Sequence, residues 1–166
     1  MRFLADGMLG GLTRWLRMLG QDVLYSTELS DNELLSLSKG EGRVLLTRDL
    51  ELYKRAVSRG IEAFYAEGEG EAERLAGVAK RYGLTLEIDM DRSRCPLCNG
   101  KLEVAPKEQL KDKLQPNTYR HYNQFWQCPN CGQIYWQGSH WKHISQTIAL
   151  AQQKIVPAPV EGTKPA

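Results

Sequence analysis

Four cysteines stand in two pairs, Cys95-x-x-Cys98 and Cys128-x-x-Cys131, with 29 residues between the pairs. Each pair lies on a tight-turn sequence, Cys-Pro-Leu-Cys-Asn-Gly and Cys-Pro-Asn-Cys-Gly, which aims both sulfurs at one point. Four thiolates complete the tetrahedral shell of Zn²⁺ and leave no position for water, so the spacing predicts a structural zinc ribbon rather than a catalytic zinc. An iron centre of the rubredoxin type and a redox dithiol are the alternatives, and Gly100 and Gly132 suit the turn equally well in an iron site. The three histidines, His121, His140 and His143, are expected outside the metal shell.

A second set of residues able to do chemistry is acidic. Asp6 directly follows the apolar run "RFLA", and Asp49 follows "RVLLT" by one residue. In an open parallel sheet, functional groups collect beyond the carboxyl ends of the strands. If the two runs are neighbouring strands, both carboxylates reach one crevice, and Asp31, in the first turn of the next helix, can face it too. Three converging carboxylates repel unless a hard cation lies between them, which points to Mg²⁺ or Mn²⁺, with Thr47 and Arg48 as supports. Each acid also has a local role open to it. Asp31 and Glu33 suit a helix first turn, Asp49 suits an N-cap, and Asp6 suits the start of "GMLGGLTRW".

These residues need elements to position them. Apolar Met8, Leu9, Leu12, Trp15, Leu16 and Leu19 share one helix face, which Gly20 closes. Ser30 and Glu33 have the spacing of a capping box. Strands are expected at 2–5, 23–25, 43–47 and "IEAFYA", with helices over "DLELYKRAVSRG" and "GEAERLAGVAKRYG" and an edge strand over "LTLEI". Strands alternating with helices predict βαβ units and a mainly parallel sheet, hence an α/β domain over residues 1–91. Composition then shifts to knuckles, aromatics and a polar stretch between Pro106 and Pro116, which predicts a small ribbon module over 92–150. The Pro-rich end predicts a disordered tail over 151–166.

The chain of 166 residues carries 22 Lys and Arg against 20 Asp and Glu, a net charge too small to imply a polyanionic partner by itself. No apolar run approaches the roughly 18 residues that span a bilayer. The start "MRFLADG" does not read as a signal peptide, so a cytoplasmic location is expected, where thiols bind metal rather than pair.

Five ordered blocks, "FLADGMLGGLTRWLRMLGQDVLY", "SDNELL", "GRVLLTRDLEL", "RCPLCNGKL" and "CPNCGQIYWQGSHW", together resemble the Mut7-C RNase family, a PIN-like domain with a C-terminal zinc ribbon. The resemblance runs from residue 1 to about 145. It implies a PIN-like α/β/α sandwich with a small four-cysteine zinc ribbon, and a Mg²⁺- or Mn²⁺-dependent ribonuclease that holds one or two ions on Asp6, Asp31 and Asp49. It implies products with a 5′ phosphate and a 3′ hydroxyl. A fourth acid, common in PIN domains, has Glu33, Asp89 and Asp91 as candidates.

The expected partner is RNA, single-stranded or tRNA. Arg14, Arg17 and Arg48 are expected against its phosphates, although Arg14 and Arg17 read equally well as a solvated helix face. In the ribbon, Lys101, Lys107, Lys111, Lys113 and Arg120 interleave with Tyr119, Tyr122, Phe125, Trp126, Tyr135, Trp136 and Trp141, a mixture suited to phosphate contact and base stacking. Trp126 and Tyr135 are expected in the ribbon core, Trp136 and Trp141 are open to either role, and the histidines belong at the surface or against RNA. Two other readings remain. One is a non-catalytic RNA-binding adaptor on a degenerate scaffold, which predicts that an acid is tied up as a cap. The other is a phosphatase of the haloacid dehalogenase kind, which needs an Asp-x-Asp pair where Asp6-Gly7-Met8 has only one. An inhibitory protein partner, of the kind PIN-type toxins have, and the oligomeric state are left open.

Overall fold

Alternation along two central strands decides the layers. In the computed structural model of the protein, which describes residues 1–155, β1 (Arg2–Ala5), β2 (Asp22–Tyr25), β3 (Val44–Thr47) and β4 (Ala63–Tyr65) pair in parallel in the order β2-β1-β3-β4. Phe3, Ala5, Val44 and Leu46 point to the face covered by α1 (Gly10–Met18), α4 (Glu71–Tyr82) and α6 (Trp141–Ile155). Leu4 and Leu45 point to the other face, against Leu34 and Leu35 of α2 (Asp31–Glu41) and Leu52 and Ala56 of α3 (Leu50–Ser58). A two-sided sheet needs a helix layer on each side, and each fully buried Leu or Phe contributes about 1.5–3 kcal/mol. The expected α/β/α sandwich is therefore the observed architecture.

The second module is an antiparallel sheet of order β5-β6-β7, made of β5 (Glu103–Ala105), β6 (Phe125–Gln127) and β7 (Ile134–Tyr135). Between β5 and β6 the chain makes a 3₁₀ turn at Lys107–Leu110 and the short helix α5 (Pro116–His121). Trp126 is buried beside Cys95 and Cys128, and Tyr135 packs on the same cluster, which places both in the ribbon core as expected.

Two expectations are corrected. "LTLEI" forms no strand: Leu84 donates its N–H to Ala79 O, and Leu86 O accepts from the Gln152 side chain at 2.7 Å. Its backbone is thus committed to α4 and α6 rather than to the sheet edge. The expected boundary at residue 150 falls inside α6, where Ile148 and Ala151 bury against the α/β core. Residues 151–155 of the expected tail are helical, and residues 156–166 lie outside the described residues.

The ribbon is seated on the α/β domain through its first knuckle. Ser93 Oγ donates to Met18 O at 2.6 Å, Arg94 N–H donates to Arg17 O at 2.8 Å, and Val23 N–H donates to Asn99 Oδ1 at 3.0 Å. Asn99 Nδ2 in turn donates to Asp22 Oδ1 at 2.8 Å, and Arg43 Nη1 donates to the same oxygen at 2.9 Å. Partial burial pushes the Asp22 carboxyl up, but these hydrogen bonds and the Arg43 charge outweigh it and hold it down at about 2.

A depressed carboxyl adds stability that is fully present above the unfolded pKa of about 3.9 and is lost as pH falls to the folded value. Asp22→Asn is therefore expected to cost about 2 kcal/mol at pH 7, a deficit that shrinks between pH ~4 and ~2. Urea unfolding of both proteins across that range checks it, and a deficit that does not change with pH would refute the linkage.

Candidate active site and metal centre

The chain runs from β1 outward to β2, then returns across β1 to build β3 and β4 on its other side. The order thus reverses between β1 and β3, and a crevice opens beyond their carboxyl ends. Ala5 is in register with Leu46, and Asp6 N–H extends the ladder to Leu46 O at 3.1 Å. The two runs are thus neighbouring strands, and Asp6 and Thr47 are adjacent strand-end residues.

Thr47, fully buried, joins the two acids. Its Oγ1 donates to Asp6 Oδ2 and accepts the Asp49 N–H at 2.9 Å. Asp6 Oδ1 accepts the Met8 N–H at 3.0 Å. Asp49 is also the N-cap of α3, with Oδ1 accepting from Glu51 N–H at 2.9 Å and Leu52 N–H at 3.2 Å. The cap uses only Oδ1, and Oδ2 meets no donor among the described residues, so capping and ligation are compatible at this residue. Asp6 is only 6% exposed, yet among the described residues no Lys, Arg or His forms an ion pair with it. A buried carboxylate without a positive partner is costly, and a bound cation relieves that cost. The donor set, carboxylate oxygens at a sheet end, suits Mg²⁺ or Mn²⁺.

Asp31 is not gathered with them. Its exposed carboxylate pairs with Arg55 at 3.5 Å, and Arg55 lies six residues beyond Asp49, roughly 9 Å down α3. Among the described residues, the cysteines are the one group of three or more potential ligands whose donor atoms all lie within 4.8 Å of one another.

Of the candidate fourth acids, Glu33 completes the capping box, its Oε2 accepting the Ser30 N–H at 2.7 Å. Asp89 and Asp91 line a cleft with Met1, Gly20 and Gln21, at the amino ends of the strands and away from Asp6. Asp91 there accepts the Trp126 indole N–H at 3.1 Å. An acid that nothing in the sequence singles out, Glu71, sits on the flank of α1, accepting from Trp15 Nε1 at 2.6 Å. It is so close to Gly11 that a Cβ there would lie 1.7 Å from its Oε1, so a side chain at residue 11 would displace the Glu71 carboxylate.

The three arginines separate. Arg14 and Arg48 are exposed and pair with no acid among the described residues. Arg17 is 6% exposed: Nε and Nη2 donate to Val23 O at 3.0 and 2.8 Å, and Nη1 donates to Pro96 O at 2.9 Å. Its expected phosphate role is corrected, because its donors are spent on two backbone carbonyls at the seam between β2 and the knuckle.

In the metal centre, Cys95 and Cys131 sulfurs are 3.6 Å apart and Cys98 and Cys128 sulfurs 3.4 Å apart. A Zn–S bond of about 2.3 Å puts neighbouring sulfurs of a tetrahedron roughly 3.8 Å apart, so the cluster fits Zn²⁺. Asn130 Nδ2 donates to Cys98 Sγ at 3.4 Å, and this hydrogen bond is the chief influence holding the Cys98 thiol down at about 6. Tyr135 OH lies 3.0 Å from Cys95 Sγ. His121, His140 and His143 are all exposed and outside this shell.

Neither a curated protein nor a solved structure matches the chain. A family does: the profile of the Mut7-C RNAse domain covers residues 1–148, which includes both strand-end acids and all four cysteines. The chain therefore belongs to the Mut7-C RNAse domain family, and that membership suggests a nuclease carrying a four-cysteine, zinc-compatible site.

Proposed function

We propose that the protein is a Mg²⁺- or Mn²⁺-dependent ribonuclease whose reaction centre is the Asp6–Thr47–Asp49 group at the β1/β3 reversal. One observation carries this reading: Asp6 is a buried carboxylate that no cationic side chain pairs among the described residues, tied through Thr47 to a second acid. Asp6 and Asp49 would hold the ion, which supplies the positive charge for an in-line displacement at phosphorus that leaves a 5′ phosphate and a 3′ hydroxyl. Thr47 fixes the spacing of the two acids. Asp31 joins after exchanging Arg55, an exposed pairing that contributes only about 0–1 kcal/mol. Arg48, beside Asp49, and Arg14 hold the phosphodiester backbone.

The ribbon supplies a second RNA contact. Residues 92–155 carry nine Lys and Arg against three Asp and Glu, whereas residues 1–91 carry twelve against sixteen. Lys111, Lys113 and Arg120 of this positive half are exposed, and Lys107 stands 4.7 Å over the Tyr119 ring. The metal of the ribbon is Zn²⁺ in a structural role, in a reducing cytoplasm that keeps the thiols available.

The test is cleavage of labelled single-stranded RNA and tRNA with Mn²⁺, Mg²⁺ or no added divalent ion, by the protein and by Asp49→Asn. Asparagine caps a helix as well as aspartate, so the variant should fold as the parent does. Its cleavage should fall by roughly 10²–10³ or more, the scale on which removing one transition-state electrostatic group acts. The pairing of Asp31 with Arg55, which ties up the third acid, is the observation on the side of the second reading, a non-catalytic RNA-binding module. RNA that is bound and never cut, or is cut equally by the variant, would establish that reading instead.

A further inference from the structure

A narrow cavity of about 180 Å³ opens where the first knuckle, β7 and the start of α6 meet. Its walls include the rings of Tyr135, Trp136 and Trp141, with Pro96 among them and Arg94 and His140 as polar members. Drug-sized ligands occupy pockets of roughly 300–1,000 Å³. This one has room for a single planar ring system and not for a whole nucleotide.

The tryptophans divide into two kinds. Trp15 and Trp126 spend their indole N–H on Glu71 and Asp91. Trp136 and Trp141, both half-buried at the cavity, have no partner for theirs among the described residues. A tryptophan drawn into a packed site usually finds an acceptor. Arg94 is committed to the seam instead: Nη1 donates to Asn99 O at 3.0 Å, and its charge helps to hold the Asp22 carboxyl down. Trp136 packs closely on Gly138, where a Cβ would lie 2.7 Å from its Nε1. Aromatic rings around an almost wholly apolar slot match the face of a flat heterocycle. The surrounding surface selects its source, since the slot opens in the positive half of the molecule with exposed Lys142 and His143 just beyond Trp141.

We infer that this cavity is a base-binding pocket that takes one unstacked nucleobase of single-stranded RNA, with Trp136 and Trp141 stacking on it. The inference rests on RNA being the substrate, and it would place the chain's grip on a base at a distance from the cleavage site.

The test is binding, measured without added divalent ions so that nothing is cut. A fluorescent eight-nucleotide RNA is compared with eight versions that each lack one base, using the full-length zinc-loaded protein, Trp141→Ala and Trp141→Phe. One abasic position should weaken binding about 5- to 140-fold, the ~1–3 kcal/mol of one stacked base at about 1.4 kcal/mol per tenfold. Trp141→Ala should weaken the intact RNA by a similar factor and be indifferent to that abasic site, and Trp141→Phe should recover most of the loss. Even weakening at every position overturns the inference, as does binding of a proline-rich peptide in preference to RNA, or no RNA binding. Intact, position-dependent binding without cleavage once Mn²⁺ is added would sink the ribonuclease reading and leave the pocket standing.

Discussion

Asp6→Asn should lower RNA cleavage by about 1,000-fold or more while leaving the protein as stable as the parent, or up to about 1 kcal/mol more stable. The two halves of this result come from the same burial. Asp6 is 6% exposed and among the described residues has hydrogen bonds from Met8 and Thr47 but no ion pair. Asparagine keeps the volume and an acceptor for the Met8 N–H, and its amide can donate to Thr47 Oγ1 while the hydroxyl reorients. What disappears is a buried negative charge, whose isolation disfavours folding and whose presence would hold the ion. Thermal unfolding of metal-free protein should shift by 0 to about +4 °C, at roughly 2–4 °C per kcal/mol for a chain of this size. A loss of more than about 2 kcal/mol would make Asp6 a structural residue. Undiminished cleavage would move the reaction centre elsewhere.

Emptying the four-cysteine site of the Zn²⁺ proposed for it, with a strong chelator or through Cys128→Ser, should destabilise the α/β domain as well as the ribbon. Structural Zn²⁺ contributes about 10–16 kcal/mol to zinc-finger peptides at neutral pH. If even about 4 kcal/mol reaches the remainder of this chain, the thermal midpoint falls by roughly 10 °C or more. The route is the first knuckle. Asn99, which holds Val23 N–H and Asp22, has a positive φ of 72° and lies one residue from Cys98, so its pose depends on the closed loop. Pro96 O, inside the same loop, is an acceptor of the buried Arg17 guanidinium. An open loop leaves that guanidinium partly unpaired between α1 and β2, and a buried unpaired donor costs about 1–3 kcal/mol, more when charged. Hydrogen exchange locates the effect: the Val23 amide should lose protection on chelation. A ribbon that melts alone, with Val23 protected as before, would show the two modules to be independent.

Much of this arrangement is legible in the residues. Short apolar runs that alternate with amphipathic helices dictate a parallel sheet, and Asp6 and Asp49 at run ends place both acids at its crevice. The capping box at Ser30 and Glu33 is readable because it is local. Arg17 defeats such a reading for the opposite reason. A helical projection of α1 puts it off the apolar stripe, and only the knuckle, 79 residues later at Pro96, covers that flank. Asp31 takes its expected role from its position after β2, whereas its partner is chosen by Arg55 on α3. Ile144, Ile148, Ala151 and Ile155 do recur at helical spacing, but a polar, Pro-rich neighbourhood masks the helix they build. "LTLEI" has strand composition and loses that fate to α4 and α6, which take its backbone groups.

The return of α6 to α4 has a consequence for how the chain comes to be folded. Leu75, Val78 and Ala79 share one buried cluster with Ile148 and Ala151, and Gln152 reaches Leu86 O. The ribbon is thus enclosed within the sequence of the α/β domain rather than appended to it. On the ribosome, strands β1 to β4 emerge first and must wait, with one helix layer unfinished, until residues 141–155 are released. Contacts of such long sequence separation slow folding, and apolar surface exposed in the interval invites aggregation and chaperone capture. Release of residues 141–155 therefore sets when the α/β core can close.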